Sequence, residues 1–366
     1  MLTPSDDVIA RVASSITGGR DPAGAMWDVS PVGPVENMTT RSLDRVAGTL
    51  ADGTPWSVIA KTLQPASDSP IWQFIPAAFR DQVIEDLNWL DEPRVYESGL
   101  RDALPAPLRM PEVFAVDRSE STVTIWMEDV ADSATWDLAR FGRTALALGR
   151  LVGRVPGTTA VSEFGMGRRP MSRLFFGKIS NFDLLVQREE EFWSDPVLSS
   201  VVDDRHRDDL YRLAASMPEL LERLERLPHA MAHGDASTGN LLQPGFDEIV
   251  AIDWSYGCVA AVGSDLAQLI ASGSELIDGG IDALGELAEV VTREFVAGAG
   301  HEGTEIDPAD LDRAWTTTLA VRAVFSALML ERPADCDDEA HVARLTRRAL
   351  LGRFGVDRAA VLDGAT

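Results

Sequence analysis

At 366 residues the chain is long enough to bury a large core and to form two domains. Its net charge of −25 argues against nucleic acid and anionic membrane surfaces as partners; it suits a cationic or neutral substrate and equally suits plain solubility charge on the surface. Two cysteines, Cys258 and Cys336, match no metal or redox spacing, and the longest apolar run, Leu319–Leu330, is broken by Arg322 and too short to span a bilayer. The opening residues, MLTPSDDVIARV, carry acids where a signal peptide carries bases, so a cytoplasmic location is expected.

An amphipathic helix is predicted over Pro4–Ile16, with Val8, Ile9, Val12 and Ile16 at helical spacing and Gly18-Gly19 ending it. Strands follow at Met26–Val32, Arg41–Leu50 and Trp56–Thr62, the last two separated by the turn Ala51-Asp52-Gly53. After the loop Gln64–Pro70 comes an apolar-patterned region, Ile71–Trp89. A helix holding Glu92 is then predicted to run through Leu104, with Pro93 tolerable only in its first turn. Strands Glu112–Asp117 and Thr122–Glu128 bring the total to five.

Past Asp129 the pattern turns helical. Helices are predicted over Leu138–Val155, Asp208–Leu227, Ile281–Ala297, Pro308–Glu331 and Asp338–Phe354. The stretch Arg168–Ser200 mixes Phe175, Phe176, Phe182, Phe192 and Trp193 with the acidic run Glu189-Glu190-Glu191, a pattern that suits solvated helices with an apolar underside. No internal repeat is present.

The chemistry concentrates between His229 and Trp254. Two short strand candidates, Asn240–Gln243 and Glu248–Ile252, flank a turn at Pro244-Gly245, and polar residues sit at their ends. Asp235 lies in His233-Gly234-Asp235, Asn240 follows five residues later, and Asp253 closes the second strand. A carboxylate, an amide and a second carboxylate at these offsets suit phosphoryl transfer, which needs positioning and charge neutralisation more than covalent chemistry. In that template Asp235 orients and deprotonates the attacking hydroxyl, while Asn240 and Asp253 hold magnesium. Upstream, Val58-Ile59-Ala60-Lys61 ends a strand, and Lys61 is one of only two lysines, with Lys178, among 33 basic residues. A compact ammonium in a chain that otherwise uses arginine marks a place where a planar guanidinium substitutes poorly.

These residues resemble the aminoglycoside phosphotransferase and choline kinase-like family, small-molecule relatives of protein kinases. The resemblance rests on His233-Gly234-Asp235 with Asn240, on Asp253-Trp254 closing a hydrophobic strand, and on Gly263-Ser264-Asp265-Leu266-Ala267 opening the next helix. It spans roughly Trp27 to Ile270. It implies an α+β, two-lobed protein-kinase-like fold. An antiparallel five-stranded N-terminal lobe over residues 1–128 would bind nucleotide. A mostly helical lobe over 129–366 would carry the hairpin 229–254 and the acceptor site.

The resemblance also implies roles. Lys61 is expected to anchor the nucleotide phosphates, held by Glu92 in Trp89-x-x-Glu92-x-x-x-Tyr96, with Glu85 and Glu97 as competitors for that place. Met127, Glu128 and Asp129 match the hinge whose backbone meets the purine, and His233 and Asp265 are expected to be structural supports of the loop. The phosphate-covering loop would fall at Gly33–Thr39, which has a single glycine and no Gly-x-Gly. The implied function is transfer of the γ-phosphoryl group of ATP, with Mg²⁺, to a hydroxyl of an amino-sugar, aminoglycoside or related metabolite. Choline, homoserine, macrolides or a neutral sugar are rival acceptors, and a catalytically inactive kinase-like sensor is the rival class. A monomer or homodimer is expected.

Overall fold

The alternation of Trp56, Val58 and Ala60 with Ser57, Ile59 and Lys61 dictates a strand with two unlike faces. The protein is described from a computed structural model covering residues 6–16, 18, 26–35, 37–50, 52–132, 135–181, 183–277, 279–328 and 338–364. Cys336, Glu36, Phe182, Ala51, Gly19 and the predicted helix ends Pro4–Ser5 and 329–331 lie outside the described residues. The strands, in chain order, are β1 (Met26–Pro31), β2 (Thr40–Thr49), β3 (Pro55–Leu63), β4 (Leu108–Arg109), β5 (Val113–Arg118), β6 (Val123–Glu128), β7 (His229–Ala232), β8 (Leu241–Gly245), β9 (Glu248–Ala251) and β10 (Cys258–Ala261).

The chain divides into two compact units, each assembled from separate stretches. The first takes residues 1–101, 110–132 and 252–256; the second takes 102–109, 133–251 and 257–366. A single boundary after Glu128 therefore does not describe the division. β4 belongs to the second unit because it pairs with β9, and the residues after β9 carry Asp253 into the first.

The first unit is built on a five-stranded antiparallel sheet in the order β1-β2-β3-β6-β5. On one face, Val58 sits opposite Val46 and Ala60 opposite Trp126. Ile9 and Val12 of the Asp6–Ile16 helix cover these residues together with Trp56, forming one apolar core. Each such side chain taken fully out of water contributes on the order of 2 kcal/mol. Because successive side chains alternate, packing that face commits Lys61, opposite Leu43 and Ile125, to the other. The predicted helix around Glu92 is shorter than expected. It spans Asp91–Glu97 and stops at Gly99, which takes the left-handed conformation (φ 81°), before a last turn at Leu100–Ala103. The Ile71–Trp89 region buries none of its helical residues, and Phe74 is 75% exposed. Pro70 and Pro76 each begin a new turn, so no apolar run is long enough to present a continuous face.

The second unit is mostly helical. Its helices Leu138–Arg154 and Gly280–His301 pack closely because two glycines face the partner backbone. A Cβ at Gly149 would lie 2.0 Å from the Phe295 carbonyl oxygen, and one at Gly298 would lie 2.1 Å from that of Leu146. Two small sheets carry the site: β7 pairs antiparallel with β10, and β8 pairs antiparallel with β9, which takes β4 in parallel on its other edge. The hairpin differs from its sequence reading in one respect. Pro244 and Gly245 end β8 beyond a register shift after Leu242, and the turn is Phe246-Asp247. β8 is an edge strand, where a proline's missing N–H removes no ladder bond. Among the described residues, no helix is long and apolar enough to cross a membrane.

Candidate active site

Lys61 arrives at the end of β3 on the face away from the apolar core, and two carboxylates meet it there. Its Nζ lies 2.7 Å from Glu92 Oε2 and 2.9 Å from Asp253 Oδ1. Of the three glutamates that sequence leaves in competition, Glu92 takes the place; Glu97 pairs with Arg118 and Glu85 is exposed. Pro93 is tolerated next to it because it sits in the first turn, where backbone N–H groups lack helical partners. Glu92 is 1% exposed, so a solvent-facing carboxylate is not what holds the lysine. Burial works against the Lys61 ammonium, but Glu92 and Asp253 together outweigh it and hold its pKa above the ordinary value. Burial pushes the Glu92 carboxyl up to about 7, against the pull of Lys61. Burial, with the charges of Glu92 and Asp253, also drives the neighbouring Tyr96 hydroxyl well up.

Asp253 is unusual in its backbone. Its φ is 56°, the single positive value outside glycine among the described residues. A side chain held in that region costs on the order of 1 kcal/mol, and such strain gathers where function fixes a geometry.

In the second unit, the loop from His233 to Asn240 is stitched to one face of the helix Ser264–Gly273. Asp265, Gln268 and Ser272 fall at i, i+3 and i+7 and so project from one side. Asp265 accepts the backbone N–H groups of His233 and Gly234, both at 2.8 Å. Gln268 Nε2 donates to Asp235 Oδ1 at 2.6 Å, and Ser272 Oγ accepts the Thr238 N–H at 3.0 Å. His233 is wholly buried and its Nδ1 accepts the Asp235 N–H at 3.3 Å, in keeping with the supporting role read from sequence. Burial raises the Asp265 pKa, with His233 and the two amides it accepts pulling the other way.

Asp235 itself is held on both oxygens. Asn240 Nδ2 donates to Oδ2 at 3.0 Å and to the Asp235 carbonyl oxygen at 2.9 Å. Arg322, the last residue of the helix Pro308–Arg322, donates to Oδ1 at 3.0 Å. Arg140, 1% exposed, donates to the Leu241 carbonyl oxygen at 2.9 Å and so pins the strand that begins beside Asn240.

The structure thus brings together Lys61, Glu92 and Asp253 in one unit, and Asp235 and Asn240 in the other. The residues expected to form the hinge lie at and just past the end of β6: Met127 is buried opposite Ile59, the Glu128 N–H donates to the Glu112 carbonyl at 2.8 Å, and Asp129 is bound by Arg45 at 2.7 and 3.0 Å. The Glu128 amide is therefore spent within the sheet. Of the segment expected to cover the phosphates, Thr39 accepts the N–H of Gln64, just past β3, at 2.9 Å. Cys258 is free and buried, and burial pushes its thiol up to about 11, which leaves it unreactive at neutral pH.

Sequence reasoning missed Gln268, Ser272, Arg322 and Arg140. A signal existed for three of them. Past Ser264 at its first position, Asp265, Gln268 and Ser272 are the polar positions of an apolar helix, and Arg322 is the lone charge in an apolar run.

The donor set also fits a magnesium ion. Two carboxylates meet one ammonium in the Lys61 cluster, and a carboxylate such as that of Asp253 is the hard oxygen ligand such an ion prefers. Among the described residues no cluster of three His, Cys, Asp or Glu side chains forms a protein-only metal cage.

A search of curated proteins finds no match. Among solved structures, an aminoglycoside phosphotransferase from Alicyclobacillus acidocaldarius is similar at 16% identity and a TM-score of 0.55, over 93% of both chains. An aminoglycoside phosphotransferase from Streptomyces rimosus follows at 17% identity and a TM-score of 0.44, over 94% of this chain and 99% of that one. An ethanolamine kinase from Plasmodium vivax has 14% identity and a TM-score of 0.48, over 90% and 83%. The first likeness shows a shared protein-kinase-like fold; the other two are weaker. The model of the phosphotransferase enzyme family matches residues 98–299, more than half of the chain, and that span contains Asp235, Asn240, Asp253 and Gln268. The chain belongs to the phosphotransferase enzyme family.

Proposed function

We propose that the protein transfers the γ-phosphoryl group of ATP to a hydroxyl of a small molecule. The observation that carries this reading is the burial of Lys61 between Glu92 and Asp253 in a chain with only two lysines. Lys61 holds the nucleotide phosphates, and Glu92 holds Lys61. Asp253 and Asn240 hold magnesium, which neutralises phosphate charge when bound. Asp235 accepts the proton of the acceptor hydroxyl. The backbone from Met127 to Asp129 meets the adenine, through groups other than the Glu128 amide. An amino-sugar, aminoglycoside or related metabolite is the leading acceptor, with choline, homoserine, macrolides and neutral sugars as rivals. The protein works in the cytoplasm as a monomer or homodimer, without nucleic acid or membrane as partner.

The test is ADP release measured across amino-sugars, amino-alcohols, macrolides and simple sugars, with ATP and GTP each offered alongside Mg²⁺. Acceptor-dependent ADP release from one class identifies the substrate. Magnesium-dependent nucleotide binding with no turnover on any acceptor would reject the enzyme in favour of a sensor.

A further inference from the structure

A carboxylate offers about four acceptor positions, two on each oxygen. On Asp235, Oδ1 receives Gln268 at 2.6 Å and Arg322 at 3.0 Å, and Oδ2 receives Asn240 at 3.0 Å. Among the described residues these donors fill three positions, and the fourth lies on Oδ2. The Asp235 side chain is 26% exposed, whereas that of Arg322 is 12% exposed, so solvent reaches the carboxylate more readily than the guanidinium. Neither Gln268 nor Arg322 belongs to the His-Gly-Asp stretch; they come from two different helices and converge on one oxygen.

From this geometry we infer that Gln268 and Arg322 are positioning residues that close Oδ1 and make Oδ2 the atom that takes the acceptor's proton. The inference rests on the reading of Asp235 as proton acceptor. In the step, the acceptor O–H donates to Oδ2 while its oxygen bonds to the γ-phosphorus of ATP. The bond from that phosphorus to the β–γ bridging oxygen breaks, ADP leaves with the electron pair, and the proton ends on Oδ2. A carboxylate free to swing would present either oxygen at variable angle. Two donors on Oδ1, one of them a charged guanidinium, fix its plane before the acceptor arrives. The transition state is loose and the proton moves late, so the orientation of the carboxylate counts for more than its strength as a base.

The two donors differ in kind, and that separates their contributions. Gln268 supplies direction from a helix whose other polar residues already hold the loop. Arg322 supplies charge as well, so its removal leaves Asp235 a less restrained anion.

The test uses the full chain and the acceptor found by the screen. Arg322→Leu and Gln268→Leu should each lower kcat by about 10- to 100-fold with the KM for ATP unchanged, because misorientation at the reacting atoms acts on the chemical step. Arg322→Lys should recover part of the loss, and millimolar guanidinium should restore part of the activity of Arg322→Ala. The decisive measurement repeats Arg322→Leu in an Asp235→Asn background, where a residue acting through Asp235 has little left to lose. Equal fold-losses in both backgrounds would overturn the proposal, as would a lowered unfolding midpoint with kcat untouched. If Asp235→Asn alone keeps full kcat, the proton-acceptor reading has failed instead, and the two failures stay distinct. Should Arg322→Leu not fold, Gln268→Leu and the guanidinium rescue carry the same decision.

Discussion

The Lys61 cluster and the Asp235 loop, to which the proposed reaction assigns different parts, are held by opposite physics. Lys61 is fixed by charge taken out of water: one ammonium, two carboxylates, and Glu92 almost wholly buried. The loop around Asp235 is fixed by many ordinary hydrogen bonds from one helix face, most of them to neutral backbone amides. Charge burial is all or nothing, because removing one partner strands the others. A hydrogen-bonded loop is graded, since each contact is worth about 1 kcal/mol and the rest persist. The first region should therefore fail abruptly under substitution and the second by degrees.

The sharpest break is at Asp253. Asp253→Asn keeps a residue that tolerates the left-handed backbone but removes one anion and a hard oxygen ligand. Turnover should fall by roughly 10³-fold or more, with magnesium-dependent ATP binding weakened in titration calorimetry. Near wild-type turnover would remove the metal assignment. Lys61→Ala comes next. Phosphate anchoring is lost, and the two carboxylates are left without their ammonium, at a cost of about 3–5 kcal/mol in stability. Part of that cost is avoided if Glu92 takes up a proton, so denaturant melts should show a larger deficit at pH 8.5 than at pH 6. Lys61→Arg should not restore activity, because the larger planar group does not fit between two close carboxylates.

Asp235→Asn tests the second region at its centre. It keeps the shape and loses the charge, so kcat should drop by about 10²–10⁴-fold while ATP affinity holds. Measuring both in the one variant decides the role, since preserved kcat with lost ATP affinity would make Asp235 a structural or metal residue.

The two regions also differ in how far the sequence discloses them. The Lys61 region was legible because its signals are compositional and local: a rare lysine at a strand end, a glutamate with the right neighbours, and an aspartate ending a strand. What the sequence left open there was which glutamate wins, and burial on the Asp91–Glu97 helix decides it. The five strands of the first sheet were legible to within a residue or so at their ends, because alternation is a strong pattern. The short strands β4, β7 and β10 were not, since strands of two to four residues carry too little alternation to stand out from loops. Around Asp235 the motif was legible but its support was not. Arg322 lies 87 residues further on, and nothing local says that a charge ending one helix will close on a carboxylate in a distant loop.

Glu92 offers a proton-linked way to sharpen the contrast. Its carboxyl sits at about 7 in the folded protein against an ordinary 4.5. A carboxyl raised in this way stabilises the fold most below 4.5, and that stability is lost as pH rises through 7, because the folded state binds the proton more tightly than the unfolded one. The full effect is about 3 kcal/mol. Between pH 5 and 8, stability of the wild type should therefore fall relative to Glu92→Gln by roughly that amount. Parallel pH profiles of the two proteins would show that the carboxyl is already ionised at acid pH.

The smallest effect expected is at Ser272, and it tests whether the loop is graded. Ser272 Oγ accepts the Thr238 N–H at 3.0 Å and itself donates to the Gln268 carbonyl at 2.8 Å. Ser272→Ala leaves a part-buried amide without its acceptor, a loss of about 1 kcal/mol. Asp265 still holds His233 and Gly234, and Gln268 still holds Asp235, so the carboxylate should keep its orientation and kcat should change less than about tenfold. Asp265→Ala removes two amide acceptors at once from a buried site and should cost at least twice as much, with kcat falling further as the loop loosens. Urea denaturation and steady-state kinetics on the two variants give the ratio, and faster hydrogen exchange at the Thr238 amide alone would locate the Ser272 effect. If Ser272→Ala instead costs as much as Asp265→Ala in both stability and kcat, the loop behaves as a single cooperative unit, and the contrast with the Lys61 cluster disappears.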